Sequence, residues 1–398
     1  MNILLINTYH HGGAGVAARR LRVALNSGGI QADLLTADLA GSNWPFYAER
    51  LSFLPFERDK SVRFSFSLAN FGHDIRTHPL VQKADILHLH WINQGLLSLK
   101  NICQLSELGK PIVWTLHDMW AFTGGCHYSG ACTNYLTGCG NCPLLRWPGP
   151  HDLSRRILDR KRTLLPRNIH FVTCSEWLAG VACSSALLQS YAVEAIPNPI
   201  DTDVFKPLSE SERADYRKKI GVSENAQVVL FVAMKVTEER KGFPYLLAAL
   251  HTIKQEQPGR PIEILVMGKS DPEILRALPY PVHALGLISN TADLVNAYGA
   301  ADVFVIPSLE DNLPNTVMEA LACGTPVAGF KTGGIPEMVG HRKEGFIALQ
   351  KDVAGLANGI VYSIDNQLSI RKNARQKVLN EYAHAPVVAR YSTLYQSL

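Results

Sequence analysis

Between residues 310 and 319 the chain presents three carboxylates, Glu310, Asp311 and Glu319. A carboxylate accepts two hydrogen bonds side by side, which suits vicinal hydroxyls such as those of a ribose. Further upstream, Lys235, Arg240 and Lys241 supply the complementary chemistry. Cations of this kind stabilise negative charge as it develops, on a phosphate for example. His117 and Asp118 end an apolar stretch in the first half of the chain, where an imidazole could meet a reacting hydroxyl. Cys126, Cys132, Cys139 and Cys142 crowd a glycine-rich loop at residues 124–143. A Cys-x-x-Cys pair with two further cysteines nearby is a tetrahedral zinc pattern. Two disulfides, or free thiols, satisfy the same spacing.

The elements around these residues decide what they can do. Residues 303–306, VFVI, read as a short buried parallel strand that breaks at Pro307-Ser308. A helix follows with Pro314 near its first turn, where a missing N–H costs nothing. It carries Glu319 and closes at Cys323-Gly324. A second strand at residues 325–328 leads to the Gly333-Gly334 turn. Lys235, Arg240 and Lys241 follow a strand at residues 228–233, and Lys241-Gly242 opens a helix. Gly268-Lys269 follow a strand at 262–267, and Gly286-Leu287-Ile288 follow a short strand near His283. In the first half, a strand at residues 2–7 runs through Gly12-Gly13-Ala14-Gly15 into a helix at 15–26. Strands at 85–90, 112–116 and 170–174 come next. His10-His11, His88, His90 and Trp91 stand at strand ends, as acceptor-side groups or as packing. Residues 195–207, AIPNPIDTDVFKP, carry three prolines and read as a linker. Alternating strands and helices from end to end predict doubly wound parallel sheets. In such sheets ligands sit beyond the carboxyl ends of strands, against helix N-termini.

Pro307, Ser308, Asp311 and Glu319, followed by Ala-Cys-Gly-Thr-Pro-Val and Gly-Gly-Ile-Pro-Glu, closely resemble a known signature. It is the donor site of retaining glycosyltransferases of family four (glycosyl transferases group 1), here of the exopolysaccharide-biosynthesis type. Asp311 stands where that family has Glu, and Asn312-Leu313-Pro314 replaces a Gly-aromatic-Gly loop, so Glu310 rivals Asp311 for the first acidic role. The linker's Asn-Pro-Ile-Asp…Phe-x-Pro pattern adds to the likeness. The resemblance implies an α/β GT-B fold, two doubly wound Rossmann-like domains facing a deep cleft. Residues 1–196 would form the acceptor domain and 197–384 the donor domain, with a helix at 385–398 returning to the first. It implies transfer of a hexose, best read as glucose, from a UDP-sugar to a saccharide or lipid-linked acceptor, retaining and independent of metal. His117, Lys241 and Asp311 become the catalytic candidates. Gly13 and Gly15 approach the donor phosphates, which Lys235, Arg240 and Lys241 hold. Gly286 and Ile288 read the base. Glu310, Asp311, Asn312, Leu313, Asn315, Thr316 and Glu319 complete the donor set. Cys126, Cys132, Cys139 and Cys142 are left as ligands of a structural zinc. A nucleotide-sugar epimerase on the same fold and a zinc-stabilised binding protein are the rival readings.

Composition narrows the field. The chain has 398 residues, 46% apolar and 19% charged, with a net charge of +4. That length suggests two or three domains, and so small a charge gives no argument for nucleic acid. No Gly-x-x-x-x-Gly-Lys-Ser/Thr run exists, which removes a P-loop ATPase. No Asp-x-Asp pair has a setting suited to a catalytic metal. No apolar run approaches a membrane span. The start, MNILLINTYHHGG, lacks a basic n-region and reads as a buried strand, so a cytoplasmic protein is expected, free or at the inner face of the cytoplasmic membrane. In that compartment the eight cysteines read as thiols or metal ligands. Residues 50–76 mix Phe53, Leu54, Phe56, Phe64 and Phe66 with Arg50, Arg58, Lys60 and Arg63. That mixture suits a peripheral membrane contact or a lipid-linked acceptor, and equally an ordinary helix pair with a solvated face.

Overall fold

The computed structural model describes residues 1–398. They divide into two compact units, Met1–Pro199 with Val387–Leu398, and Ile200–Pro386. Each is built on one six-stranded sheet. The first holds β1 (Asn2–Ile6), β2 (Gln31–Leu35), β3 (Ile86–Leu89), β4 (Ile112–Leu116), β5 (Ile169–Thr173) and β6 (Val193–Ala195), in the order β2-β1-β3-β4-β5-β6. The second holds β7 (Gln227–Lys235), β8 (Ile262–Lys269), β9 (Val282–Gly286), β10 (Val303–Ile306), β11 (Val327–Phe330) and β12 (Gly345–Ala348), in the order β12-β11-β10-β7-β8-β9. Every pairing is parallel. Helices cover both faces of such sheets, so central strands need apolar residues at every position. β4, IVWTL, and β10, VFVI, are buried throughout.

In both sheets the strand order reverses direction beside the first strand, between β1 and β3 and between β7 and β10. Loops leaving adjacent strands there run to opposite faces and leave a crevice at the carboxyl ends. The crevice of the first sheet receives the start of the helix Gly12–Ser27 and the segment from His90. That of the second receives the Lys241 turn and the Asp311 loop.

Several boundaries differ from the expected ones. The glycine run is no loop: Gly12 to Gly15 form the first turn of the helix, whose leading amides need no partner four residues back. Gly15 lies so close to the chain before it that a Cβ would meet the Tyr9 carbonyl oxygen at 2.4 Å. β11 starts after Pro326, which has no N–H to give the ladder. Lys235, Gly268 and Lys269 belong to strands, with Lys235 paired in register to Lys269 past a bulge. Pro314 is the N-cap of the helix Asn315–Ala322, one place before its first turn.

The chain's last helix, His384–Gln396, places Val387, Tyr391, Leu394 and Tyr395 in the core of the first unit with Ile3, Leu5 and Val113. Its hydroxyls satisfy a buried imidazole. His88 Nδ1 lies 2.7 Å from the Tyr395 hydroxyl and Nε2 lies 2.7 Å from Thr115 Oγ1. His88, His90 and His117 then stack in sequence, with ring centroids 4.5 and 5.2 Å apart. The phenylalanines of residues 50–76 separate: Phe53 and Phe66 are buried and stacked at 5.0 Å, whereas Phe64 is exposed. No helix is long and apolar enough to cross a membrane.

Two measurements check this packing. Gly15→Ala drives a methyl into backbone and is expected to cost about 1–3 kcal/mol. Gly13→Ala, with nothing within 4 Å of its added Cβ, should leave urea unfolding unchanged. The imidazole stack sets a pH dependence. Burial holds the pKa of His88 near about 3 and of His117 near about 4, and that of His90 well below its ordinary value. The unfolded chain takes up these protons near pH 6.5 and the folded chain does not. Stability therefore falls as pH drops from 6.5 towards 4, by about 1.4 kcal/mol per pH unit for each such ring. Urea midpoints at pH 6.5 and 5 report it; equal midpoints would mean the rings are protonated within the fold.

Candidate active site

In the second unit the structure brings together the cations and acids read from the sequence. Lys241 Nζ lies 2.7 Å from Asp311 Oδ2, with Arg240 Nη1 3.8 Å from the same oxygen. Arg240 Nη1 also donates to the Glu310 carbonyl at 3.2 Å, and Leu309 N donates to the Arg240 carbonyl at 2.8 Å. The two loops are thus stitched by backbone as well as charge. Gly242 permits the approach. It is left-handed (φ 70°) at the N-cap of the helix Phe243–Glu256, and a Cβ there would meet the Pro307 carbonyl oxygen at 1.9 Å. Lys241 therefore closes a short 3-10 turn, and the helix opens one residue beyond Gly242.

Asn312 and Leu313 are buried beside Asp311, and Asn315 and Thr316 form the first turn of the helix that follows. Glu319 is buried on that helix at 8% exposure, which rules out an ordinary surface glutamate. Its Oε2 accepts from the Tyr298 hydroxyl at 2.9 Å. Nothing in the spacing of the sequence announces Tyr298 as its partner. The Ser308 hydroxyl is fully buried and finds no hydrogen-bond partner. Lys235 differs from its two basic neighbours: it is exposed at the end of β7. Gly286 closes the edge strand β9 and Ile288 follows it, two strands away from β7.

The first unit carries Gly13, Gly15 and His117. His117 Nε2 lies 2.9 Å from His90 Nδ1, and its Nδ1 lies 3.4 Å from Cys174 Sγ. With both nitrogens engaged and burial depressing its pKa to about 4, this imidazole is neutral. The neighbouring Asp118 is a hub that sequence reasoning missed. It accepts from Trp91 Nε1 at 2.9 Å, from Trp120 N at 2.8 Å and from His127 Nδ1 at 2.6 Å, while His127 Nε2 faces Ser67 Oγ at 2.9 Å. Burial opposes ionisation of Asp118, but His127 and the other donors more than offset it and hold the pKa below its usual value. Two buried atoms on the segment after β3, His90 Nε2 and Asn93 Oδ1, have no hydrogen-bond partner.

The cysteine loop is better ordered than its composition suggests. Cys126 pairs by a backbone bridge with Phe66, and Cys142 joins Phe53, Phe66 and Ile157 in a small core of its own. Cys126, Cys132, Cys139 and Cys142 all line one cavity of about 20 Å³, and none is in a disulfide. Burial raises the thiol of Cys126 to about 12 and that of Cys142 to about 11. No three His, Cys, Asp or Glu side chains of the chain stand where they could jointly hold a metal ion. The loop also has cations that its own sequence lacks. From the helix Leu153–Leu164, Lys161 lies buried with Nζ 3.6 Å from the Trp120 ring centroid, and donates to the carbonyls of Trp120 and Thr123.

Comparison with known proteins matches this sequence to a family. The family described as Glycosyltransferase Family 4 matches residues 11–204, and Glycosyl transferases group 1 matches residues 226–366. An uncharacterized glycosyltransferase of Methanocaldococcus jannaschii is 26% identical over 333 residues, covering 79% of this chain and 76% of that protein. The putative colanic acid biosynthesis glycosyl transferase WcaC of Escherichia coli is 27% identical, covering 66% of this chain and 62% of its own length. The D-inositol 3-phosphate glycosyltransferase of Segniliparus rotundus is 26% identical, covering 69% of this chain and 56% of its own. This chain thus spans less than two thirds of the last two. Among solved structures, sucrose-phosphate synthase of Thermosynechococcus elongatus superposes with a TM-score of 0.68 at 18% identity, covering 100% of this chain and 98% of that one. Anabaena HepE in complex with UDP and glucose gives 0.63 at 18%, with full coverage of both chains. At those identities the likeness is one of fold, two Rossmann-like domains of GT-B type. With both halves matched in order, the chain belongs to the group 1, family 4 glycosyltransferases.

Proposed function

We propose that this protein transfers a hexose, glucose in the first instance, from a UDP-sugar to a saccharide or lipid-linked acceptor in polysaccharide synthesis, with retention of anomeric configuration. The observation that carries the reading is the meeting of Lys241, Arg240 and Asp311 at the strand reversal of the second sheet. A departing diphosphate needs cations at the point where its charge appears. Lys241 and Arg240 are already held there by Asp311, so little reorganisation is needed when the donor arrives. Glu319, oriented by Tyr298, takes the ribose hydroxyls. The amides opening the helix Asn315–Ala322 face the phosphates or the sugar. UDP and glucose in the HepE structure support a UDP-hexose donor, and the putative colanic acid role of WcaC supports a polysaccharide product.

With retention, the acceptor attacks on the face from which the diphosphate leaves, and a leaving-group oxygen takes the acceptor's proton. No dedicated base is then needed, and the protein contributes position and charge. Neutral His117 serves as a hydrogen-bonding partner for a sugar hydroxyl, trading one of its present contacts. Transfer proceeds without a bound divalent metal. The cysteine loop has a separate, structural part, holding one zinc ion between Cys126, Cys132, Cys139 and Cys142. What supports this is the cavity that all four line.

Two experiments test these statements. In EDTA, with UDP-glucose and an oligosaccharide acceptor, Glu319→Ala and Lys241→Ala should each lose at least about 100-fold in kcat/KM, on the scale of removing one charge-stabilising group. Lys241→Ala also leaves Asp311 with only the longer Arg240 contact, at a cost of about 1–3 kcal/mol. Adding Asp311→Asn should recover the melting temperature and leave the rate lost. Full activity in either single variant, or an inverted product by NMR, would refute the assignment. Elemental analysis of reduced protein should find one zinc per chain; no zinc, with every thiol titratable after unfolding, would leave these as free cysteines.

A further inference from the structure

The helix Trp44–Phe53 is amphipathic the wrong way round for a soluble surface. Its inner face holds Pro45, Glu49 and Phe53, all buried. Glu49 is not a solvent acid: its carboxylate accepts from the backbone amides of Leu68, Asn70 and Phe71 at 3.0–3.1 Å, and from that of Ala69. The outer face, at the helical spacing of three and four residues, carries Trp44, Tyr47, Leu51 and, at its C-cap, Leu54. These are 57%, 61%, 65% and 40% exposed. Trp44 meets Phe71 and Tyr47 meets Phe46 only edge-on, and four large, mostly exposed apolar side chains in one stripe go beyond the scattered hydrophobics usual on a soluble surface.

Two further exposed aromatics stand on the segments that follow. Phe64, 64% exposed, lies under the Arg50 guanidinium at 4.3 Å. Trp147, 63% exposed, lies under that of Arg146 at 5.4 Å. The Trp147 segment is joined to this region: Arg146 N donates to the Phe56 carbonyl, and Glu57 pairs with Leu145. Charge on the patch is biased one way. Glu57 and Asp59 are taken up by Arg63 and Arg58, so Arg50, Lys60 and Arg146 leave it positive. Aromatic rings beside cations with long apolar stems suit the headgroup boundary, where the ring enters the acyl edge and the charge stays with phosphate.

We propose that this face of the first unit docks on an anionic lipid bilayer, the stripe of Trp44, Tyr47, Leu51 and Leu54 entering the interface and Arg50, Lys60 and Arg146 meeting acidic headgroups. The patch adjoins the carboxyl-end rim of the first sheet. Gly95, in the segment after β3, lies so close to the helix that a Cβ would meet Phe46 N at 2.4 Å. Tyr9, beyond β1, hydrogen-bonds Gln94 at 2.9 Å. Docking would therefore hold the rim that carries His90 and His117 beside the membrane, where a lipid-linked acceptor presents its sugar. This last step rests on the glycosyl-transfer reading; the docking does not.

Vesicle flotation, with neither donor nor acceptor present, tests it. The full chain should float with vesicles of three parts phosphatidylcholine to one of phosphatidylglycerol, and binding should weaken at least tenfold between 0.05 and 0.5 M salt. Pure phosphatidylcholine should bind it much less. Trp44→Gln/Leu51→Gln alters only exposed positions and should lose at least tenfold in vesicle affinity. Its rate on a water-soluble acceptor should stay unchanged. Flotation absent on both vesicle types, or undiminished in the double variant, overturns the proposal. So does a lipid-free dimer of the wild-type chain that the double variant abolishes in sedimentation, because the stripe would then face a second copy. Because binding is read without turnover, a wrong lipid surface and a wrong reaction give separate failures.

Discussion

Lys241 and Asp311 are 70 residues apart in the chain and 2.7 Å apart in the fold. They meet because β7 and β10 are parallel neighbours whose outgoing loops emerge at the same end. Much else in the second unit serves that contact. Gly242 lets its turn pass against the Pro307 carbonyl, Arg240 ties the two loops through Glu310 and Leu309, and Pro314 caps the helix that carries Glu319. A largely buried ion pair adds little net stability, since desolvation offsets attraction, while the loss of either partner is expensive. Its value here is in placement. The cations stand ready in a site of low dielectric, where, on the function proposed above, a diphosphate would compete with one carboxylate for charge that is already desolvated.

The first unit solves a different problem at the corresponding strand reversal. Three stacked imidazoles, His88, His90 and His117, replace charge with neutral rings. Four of their six nitrogens are fixed by the hydroxyls of Tyr395 and Thr115 and by the contact between His90 and His117, while His117 Nδ1 faces Cys174 and His90 Nε2 has no partner. The one charge kept there is Asp118, and it is fully dressed by Trp91, Trp120 and His127. The rim is thus a set of directed hydrogen-bonding groups with little net charge. Such a rim suits a neutral hydroxylated ligand better than an anion.

The chemistry of the second unit was legible in the sequence because it is local. Strand, break, acids and capped helix follow one another within about thirty residues, and apolar runs of four or five mark the central strands. Three of the four edge strands were not legible: β2, β6 and β12 are three to five residues long and only partly buried, so periodicity has too little to act on. The glycine run misled in a physical way, since glycine marks close approach as readily as a loop. Partners brought from afar left no trace in spacing. Tyr298 for Glu319, His127 for Asp118 and Lys161 beneath the cysteine loop all depend on tertiary placement. The aromatic-cationic segment left open which of its rings face outward. Phe53 and Phe66 turned inward to stack, and the exposed stripe begins earlier, at Trp44.

The cysteine loop links these features. His127 follows Cys126 directly, and its imidazole is clamped between Asp118 and Ser67. Asp118 is next in sequence to His117. Whatever fixes the conformation of Cys126 therefore fixes the donor that keeps Asp118 ionised, and through it the backbone that presents His117. Lys161 closes the circuit from beneath, binding the carbonyls of Trp120 and Thr123 on the short stretch between Asp118 and Cys126. Burial lowers the pKa of Lys161 to about 7, because an amine enclosed in protein loses the hydration that favours its charge. The two carbonyls and the Trp120 ring face take the place of that water, so the stretch from Asp118 to Cys126 is pinned by a group that needs those partners as much as they need it.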